Sequence, residues 1–278
     1  MIKKYIQLPF IYMDRYYRKQ IVKTSGYLFC FLFNFRSLLR GKDVLFRYVG
    51  SGKYSVISKK YKRFFYSKSQ NLFSFSNGIS ERAVVIGNDY MLDSINFLDG
   101  DVIIDCGANI GDLKLYFDES NIDIEYYGIE PSTHEFDCLS ENVKPSNVFN
   151  YGLWNKNESL EFFVSSSNAD SSFIKPKTYN DVIKIKGRRL DSFFDKTKKI
   201  KLLKLEAEGA EPEALVGCEK LLKNIEYISA DLGFERGIRE ESTIEDVTNF
   251  LLSRNFRLVQ FKLPRVVALF VNKDISLK

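Results

Sequence analysis

From Asp101 onward, short apolar runs alternate with longer mixed segments. The runs VIIDC (102–106), IEYYGIE (124–130), NVFNYGL (147–153), KLLKLEA (201–207) and IEYISADLG (225–233) have the length and β-branched, aromatic content of strands. The intervening stretches predict helices near 111–119, 132–142, 211–223 and 242–254. FRLVQFK (256–262) and RVVALFV (265–271) follow each other directly and predict a closing antiparallel hairpin. SLEFFVSS and DVIKIKGRRLDSFF predict an extra strand pair followed by a short helix, and SSSNADSS (165–172) a mobile loop. Strands alternating with helices predict an α/β sandwich built on a mostly parallel sheet.

The first 70 residues follow a different pattern. GYLFCFLFNFRSLL (Gly26 to Leu39) is broken by Asn34 and Arg36 and is shorter than the ~20 apolar residues a bilayer crossing needs. Three readings stay open: a helix packed on the main domain, a helix lying in a membrane interface, and a basic aromatic arm for nucleic acid. KYSVISKKYKRFFY and RAVVIGNDYM, both short, β-branched and aromatic, predict strands or a hairpin. The expected division is a basic aromatic extension over 1–80 and a main domain over 81–278.

Charge sharpens that division. Residues 1–70 hold sixteen Lys/Arg against Asp14 and Asp43, a balance of +14, whereas the remainder is at −9. Cys30, Cys106, Cys138 and Cys218 lack paired spacing and read as reduced thiols, and His134 is the sole histidine, which excludes a histidine-built metal site. No secretory signal with a small-residue cleavage site opens the chain, so the expected location is cytoplasmic, peripheral at the inner membrane face if the interfacial reading holds.

The chemistry concentrates in DVIIDCGANIGDLKLYF (Asp101 to Phe117). In an open parallel sheet, ligands bind where the strands end and their helices begin, which is where Asp105, Gly107, Asn109 and Gly111 fall. A dinucleotide fingerprint needs G-x-G-x-x-G. Here a carboxylate stands in place of the first glycine, repelling a pyrophosphate and favouring a cationic ligand. Glu130, nineteen residues after Gly111, closes the second strand and suits both hydroxyls of a ribose. Ammonium, carboxylate and ribose recognition together describe S-adenosylmethionine.

These residues, with YGIEPSTHEFDCLSENV, GRRLDSFF and IKLLKLEAEGAEPEALVGCEKLL, resemble the FkbM-type S-adenosylmethionine-dependent methyltransferases over roughly residues 80 to 272. The resemblance implies a seven-stranded Rossmann-like class I sheet and methyl transfer to a hydroxyl oxygen, often of a sugar. It implies Asp105, Gly107, Asn109 and Gly111 around the methionine part of the cofactor, Glu130 on the ribose, and adenine against Gly152 and Leu153. The family motif K-I-D-V-E-G-A-E reads here Lys204 to Glu211 with Glu206 in place of the aspartate.

A hydroxyl nucleophile benefits from a base, and Glu206 and Glu208 close the fourth strand where the methyl group should emerge. Asp231, Glu235 and Arg236 leave the fifth strand at the same edge as candidate acceptor contacts. Glu211 is expected to cap the following helix, His134 to lie at the surface and Trp154 to pack in the core. The favoured reading is O-methylation of a sugar hydroxyl in a surface polysaccharide or lipid-linked precursor. Methylation of nucleic acid or protein is one alternative, though EAEG lacks the N/D-P-P-Y/F turn common in DNA base methylation. An inactive cofactor-binding scaffold at a membrane is another.

Overall fold

The structure, a computed structural model, describes residues 16–21, 23–66, 73–144, 147–165 and 171–276. It divides into two compact units, residues 1–79 and 80–278.

In the first unit, helix α1 (Gly26–Leu39) packs on an antiparallel sheet of β1 (Leu45–Gly50), β2 (Lys53–Ile57) and β3 (Lys62–Tyr66). Phe29 and Phe33 of the helix meet Phe46 and Tyr54 of the sheet, with Phe33 and Phe46 centroids 4.2 Å apart. Asn34, which interrupts the apolar run, is used as a strand mimic: its amide donates to the Phe46 carbonyl (2.9 Å) and accepts from the Phe46 amide (2.7 Å). A half-buried polar side chain is tolerated there because both its groups are paired.

RAVVIGNDYM is not a strand or hairpin: Ile79–Asp89 form helix α2. Ile79, Ala83, Ile86 and Tyr90 recur at helical spacing and are buried, whereas Val84 is 67% exposed. Burying that stripe outweighs the β preference of Val-Val-Ile, a propensity difference of only about 0.5 kcal/mol per residue.

The second unit continues with β4 (Val102–Cys106), α3 (Asp112–Ser120), β5 (Glu125–Ile129), α4 (Thr133–Asn142), β6 (Asn147–Phe149), β7 (Gly152–Leu153), β8 (Glu158–Val164), β9 (Asp181–Arg188), β10 (Ile200–Leu205), α5 (Glu211–Gly217), β11 (Ile225–Asp231), α6 (Ile244–Leu252), β12 (Phe256–Lys262), β13 (Val267–Asn272) and α7 (Lys273–Ser276). Seven strands form one sheet in the order β12-β13-β11-β10-β4-β5-β6, in which β13 alone runs against its neighbours. This is the expected Rossmann-like α/β sheet with its closing hairpin. One face buries Ile104, Leu203, Leu205 and Ile228, the other Ile103, Leu202, Val267 and Leu269, as the strand alternation requires.

Two predicted elements divide. The 147–153 run contributes β6 to the main sheet and then β7 to a small sheet of order β7-β9-β8, the expected extra strand pair joined by a third short strand. The 211–223 helix ends at Gly217 and resumes as a 3-10 turn over Glu219–Asn224. Of the SSSNADSS stretch, 166–170 lie outside the described residues, while Ser172 is buried and bridged to Phe163. All four cysteines are buried thiols outside any disulfide.

Candidate active site at the C-terminal edge of the sheet

Asp105 of β4 and Lys204 of β10 are cross-strand partners at the centre of the sheet. Lys204 Nζ lies 3.1 Å from Asp105 Oδ1 and 2.9 Å from Glu206 Oε2, and donates to the carbonyls of Cys106 (3.2 Å) and Gly107 (2.7 Å). The Tyr126 hydroxyl donates to Asp105 Oδ2 at 2.6 Å. Burial opposes the lysine's charge, but Asp105 and Glu206 outweigh it and hold the ammonium well above the usual lysine range. Asp105 is 1% exposed, and its nearest cation in this structure is Lys204. Lys204 balances the Asp105 charge and, through the Cys106 and Gly107 carbonyls, ties β10 to the turn that follows. The signal for Lys204 was a lone cation inside the apolar run LLKL.

That turn is tightly held. Gly107 adopts φ +70°, and a Cβ there would lie 2.0 Å from the Glu206 carbonyl oxygen, so no other residue fits. The Gly107 and Ala108 amides both donate to the Ile129 carbonyl at 3.0 Å. Asn109 is left-handed (φ 50°) and its amide donates to Glu130 Oε2 at 2.8 Å, before Gly111 opens α3. Glu130 Oε1 accepts from the Ser132 amide at 2.8 Å. Burial, reinforced by Glu135, pushes the Glu130 carboxyl up to about 8. Asn109 Oδ1 is buried without a hydrogen-bond partner among the described residues.

Glu206 sits between cations. Besides Lys204, Arg265 pairs with its Oε1, and the Tyr90 hydroxyl donates to its Oε2 at 2.5 Å. Arg265 also donates to Asp231 Oδ2 (2.6 Å) and to the Tyr90 hydroxyl (3.0 Å). Burial alone would raise the Glu206 carboxyl, but Lys204 and Arg265 outweigh it and bring it down to about 2. Glu206 is therefore an anchor and a poor base, contrary to the role expected from its position. Tyr90 and Arg265, from α2's end and the start of the β12–β13 return, were invisible to motif reading because both lie far from β10 in sequence.

Glu208 is different. It adopts φ 51° in the turn after β10 and is hydrogen-bonded to Glu235. Burial first, then the charges of Asp231, Glu206 and Glu211, push Glu235 up to about 8, so the two carboxyls hold a proton between them at neutral pH. Glu211 accepts from the amides of Ala207 (2.7 Å) and Gly209 (3.2 Å), bracing the turn before α5. Arg236 is clamped to Glu213 by two bonds (2.7 and 2.9 Å) and donates to the Gly209 carbonyl. Its guanidinium, expected to be an acceptor contact, is engaged in closing this loop.

Gly152 and Leu153 are buried and paired with Gly187 and Arg188, and a Cβ on Gly152 would strike the Phe173 ring at 2.0 Å. They form a packed floor of backbone at the start of the small sheet. The Tyr151 hydroxyl beside them is buried without a partner among the described residues. Trp154 packs on Phe173, and His134 is exposed.

A family model described as the methyltransferase FkbM domain matches residues 105–258, more than half of the chain. The chain belongs to the FkbM methyltransferase family. Its cofactor is S-adenosylmethionine. No curated protein matches this FkbM methyltransferase. Among solved structures, an S-adenosylmethionine-dependent methyltransferase from Aquifex aeolicus is similar at 12% identity and TM-score 0.41, covering 69% of this chain and 97% of that one. TrmK of M. capricolum with S-adenosyl-homocysteine is similar at 13% identity and TM-score 0.36, covering 68% of each chain. A precorrin-6y C5,15-methyltransferase from Geobacter metallireducens is similar at 11% identity and TM-score 0.38, covering 69% and 87%. Likenesses this distant add nothing to the sheet order itself.

The FkbM methyltransferase fits its cofactor on two observations. The orphaned Asn109 Oδ1 awaits a donor such as an ammonium, and the Gly107 cradle brings backbone close to the strand ends. Glu130 stands at the next strand end with each carboxyl oxygen accepting one backbone amide, and keeps further hydrogen-bonding capacity for a ribose hydroxyl.

Proposed function

We propose that this methyltransferase acts on a hydroxyl oxygen of a sugar or glycan acceptor, with the Glu208–Glu235 pair as its proton acceptor. The observation that carries the reading is that pair, held at the ends of β10 and β11 beside Asp231. Bound S-adenosylmethionine supplies an electrophilic methyl group on a sulfonium. Asn109 and Glu130 would hold it, while Gly107 keeps the approach open. Glu208 and Glu235 receive the hydroxyl proton, more readily once their own shared proton has left. Asp231 and Glu206 keep Arg265 fixed beside them.

The carboxylates at this edge also support a polyhydroxyl acceptor over a polyanion. Glu206 and Asp231 are paired with Arg265, whereas Glu208 and Glu235 would repel phosphates and accept hydrogen bonds from sugar hydroxyls. The test is to incubate the protein with methyl-labelled cofactor and, separately, glycans, RNA and protein, and to locate label by mass spectrometry. A methyl ether on a glycan supports the reading; label on RNA or protein alone overturns it.

A further inference from the structure

Helix α1 is apolar on two sides. Phe29 and Phe33 are buried on its own sheet, whereas Tyr27, Leu28, Phe31, Phe35, Leu38 and Leu39 are exposed. The exposed set recurs at helical spacing, so it forms one continuous ridge, roughly 20 Å long at 1.5 Å per residue. Tyr27, Phe31 and Leu38 are 76%, 69% and 75% exposed. Scattered surface apolars are ordinary, but an aligned aromatic and leucine ridge marks a surface with an occupant.

The surroundings specify that occupant. Lys19 and Lys23 precede the helix, Arg40 follows it, and all three are exposed. From residue 16 to 79 the only acid is Asp43. Aromatic rings beside clustered cations match the interfacial zone of an anionic bilayer, where rings sit at headgroup level and each nearby Lys or Arg is attracted to the surface. A second copy of this chain would bring the same positive charge against itself, and an RNA would make no use of Leu28, Phe31 or Leu38. No helix among the described residues is long and apolar enough to cross a membrane, so the mode of attachment is peripheral.

We infer that residues 16–66 dock this enzyme on an anionic lipid surface, with the outward ridge of α1 inserted at the headgroup level. The inference stands on the first unit alone and is independent of which acceptor is methylated.

The experiment is co-sedimentation of the full chain with vesicles of phosphatidylcholine alone or mixed with phosphatidylglycerol. The expected result is binding to the mixed vesicles that drops at least about tenfold when Phe31→Ser and Leu38→Ser are combined, and again when Lys19→Glu and Lys23→Glu are combined. Both ridge positions are exposed, so circular dichroism and S-adenosyl-homocysteine affinity should be unchanged. Binding indifferent to the ridge substitutions overturns the inference. So does a dimer by light scattering that Phe31→Ser converts to monomer without any vesicle binding, and so does salt-sensitive RNA binding in place of vesicle binding.

Discussion

Two carboxylates two residues apart have opposite parts to play. Glu206 balances Lys204 and Arg265, so Glu206→Ala removes one partner from a buried lysine and a partly exposed arginine, which keep Asp105 and Asp231, and should destabilise the fold by about 1–3 kcal/mol, read as a lower urea midpoint. Glu208→Gln leaves those ion pairs intact and should lower kcat by about 10²- to 10³-fold with cofactor affinity nearly unchanged in calorimetric titration. If Glu208→Gln instead abolishes cofactor binding, the division of labour between the two is wrong. The shared proton gives a pH signature. Turnover should rise with pH around 8 as the Glu208–Glu235 pair ionises, and Glu235→Gln should remove that inflection. The sign for stability is opposite: the folded Glu235 keeps its proton to about 8 while the unfolded group releases it near 4.5, so its contribution falls across that window and is flat above it. The gap in melting temperature between wild type and Glu235→Gln should therefore open from pH 4.5 to about 8 and stay at its largest above that.

Among the elements, the β4–α3 turn depends on close approach to β10. Gly107→Ala would drive a methyl into the Glu206 carbonyl at a left-handed position, and should both weaken cofactor binding and cost on the order of 3 kcal/mol in stability, measured by titration and denaturant melts. Lys204→Met should also be destabilising, since it leaves the buried Asp105 without its cation and Glu206 with Arg265 alone, and frees the Gly107 carbonyl. Strand and helix identities from β4 to α4, and the β12–β13 hairpin, were legible because apolar alternation and helical spacing are local. The α2 segment was misread because its Val-Val-Ile run carries β propensity, and only the burial of Ile79, Ala83, Ile86 and Tyr90 on one stripe decides for helix.

For the whole molecule, a cofactor that binds only the folded state should stabilise the chain by about 2.7 kcal/mol at a hundredfold excess over Kd. S-adenosyl-homocysteine should accordingly raise the melting temperature, with hydrogen-exchange protection concentrated at 105–111 and 130–132; protection centred elsewhere would relocate the site.

The sequence by itself determined the parallel sheet, the glycine turn after β4, the acidic residue after β5 and the split between a basic extension and an acidic domain, because each is written in local pattern, spacing or composition. Tertiary structure decided which charges remain available. Tyr90, Lys204, Glu206, Asp231 and Arg265 come from four separate stretches of chain, and only their convergence reveals that Asp105 and Glu206 are neutralised while Glu208 and Glu235 retain a proton to exchange. A carboxylate's function follows from the charges and burial around it, and those are set by contacts between residues far apart in the chain.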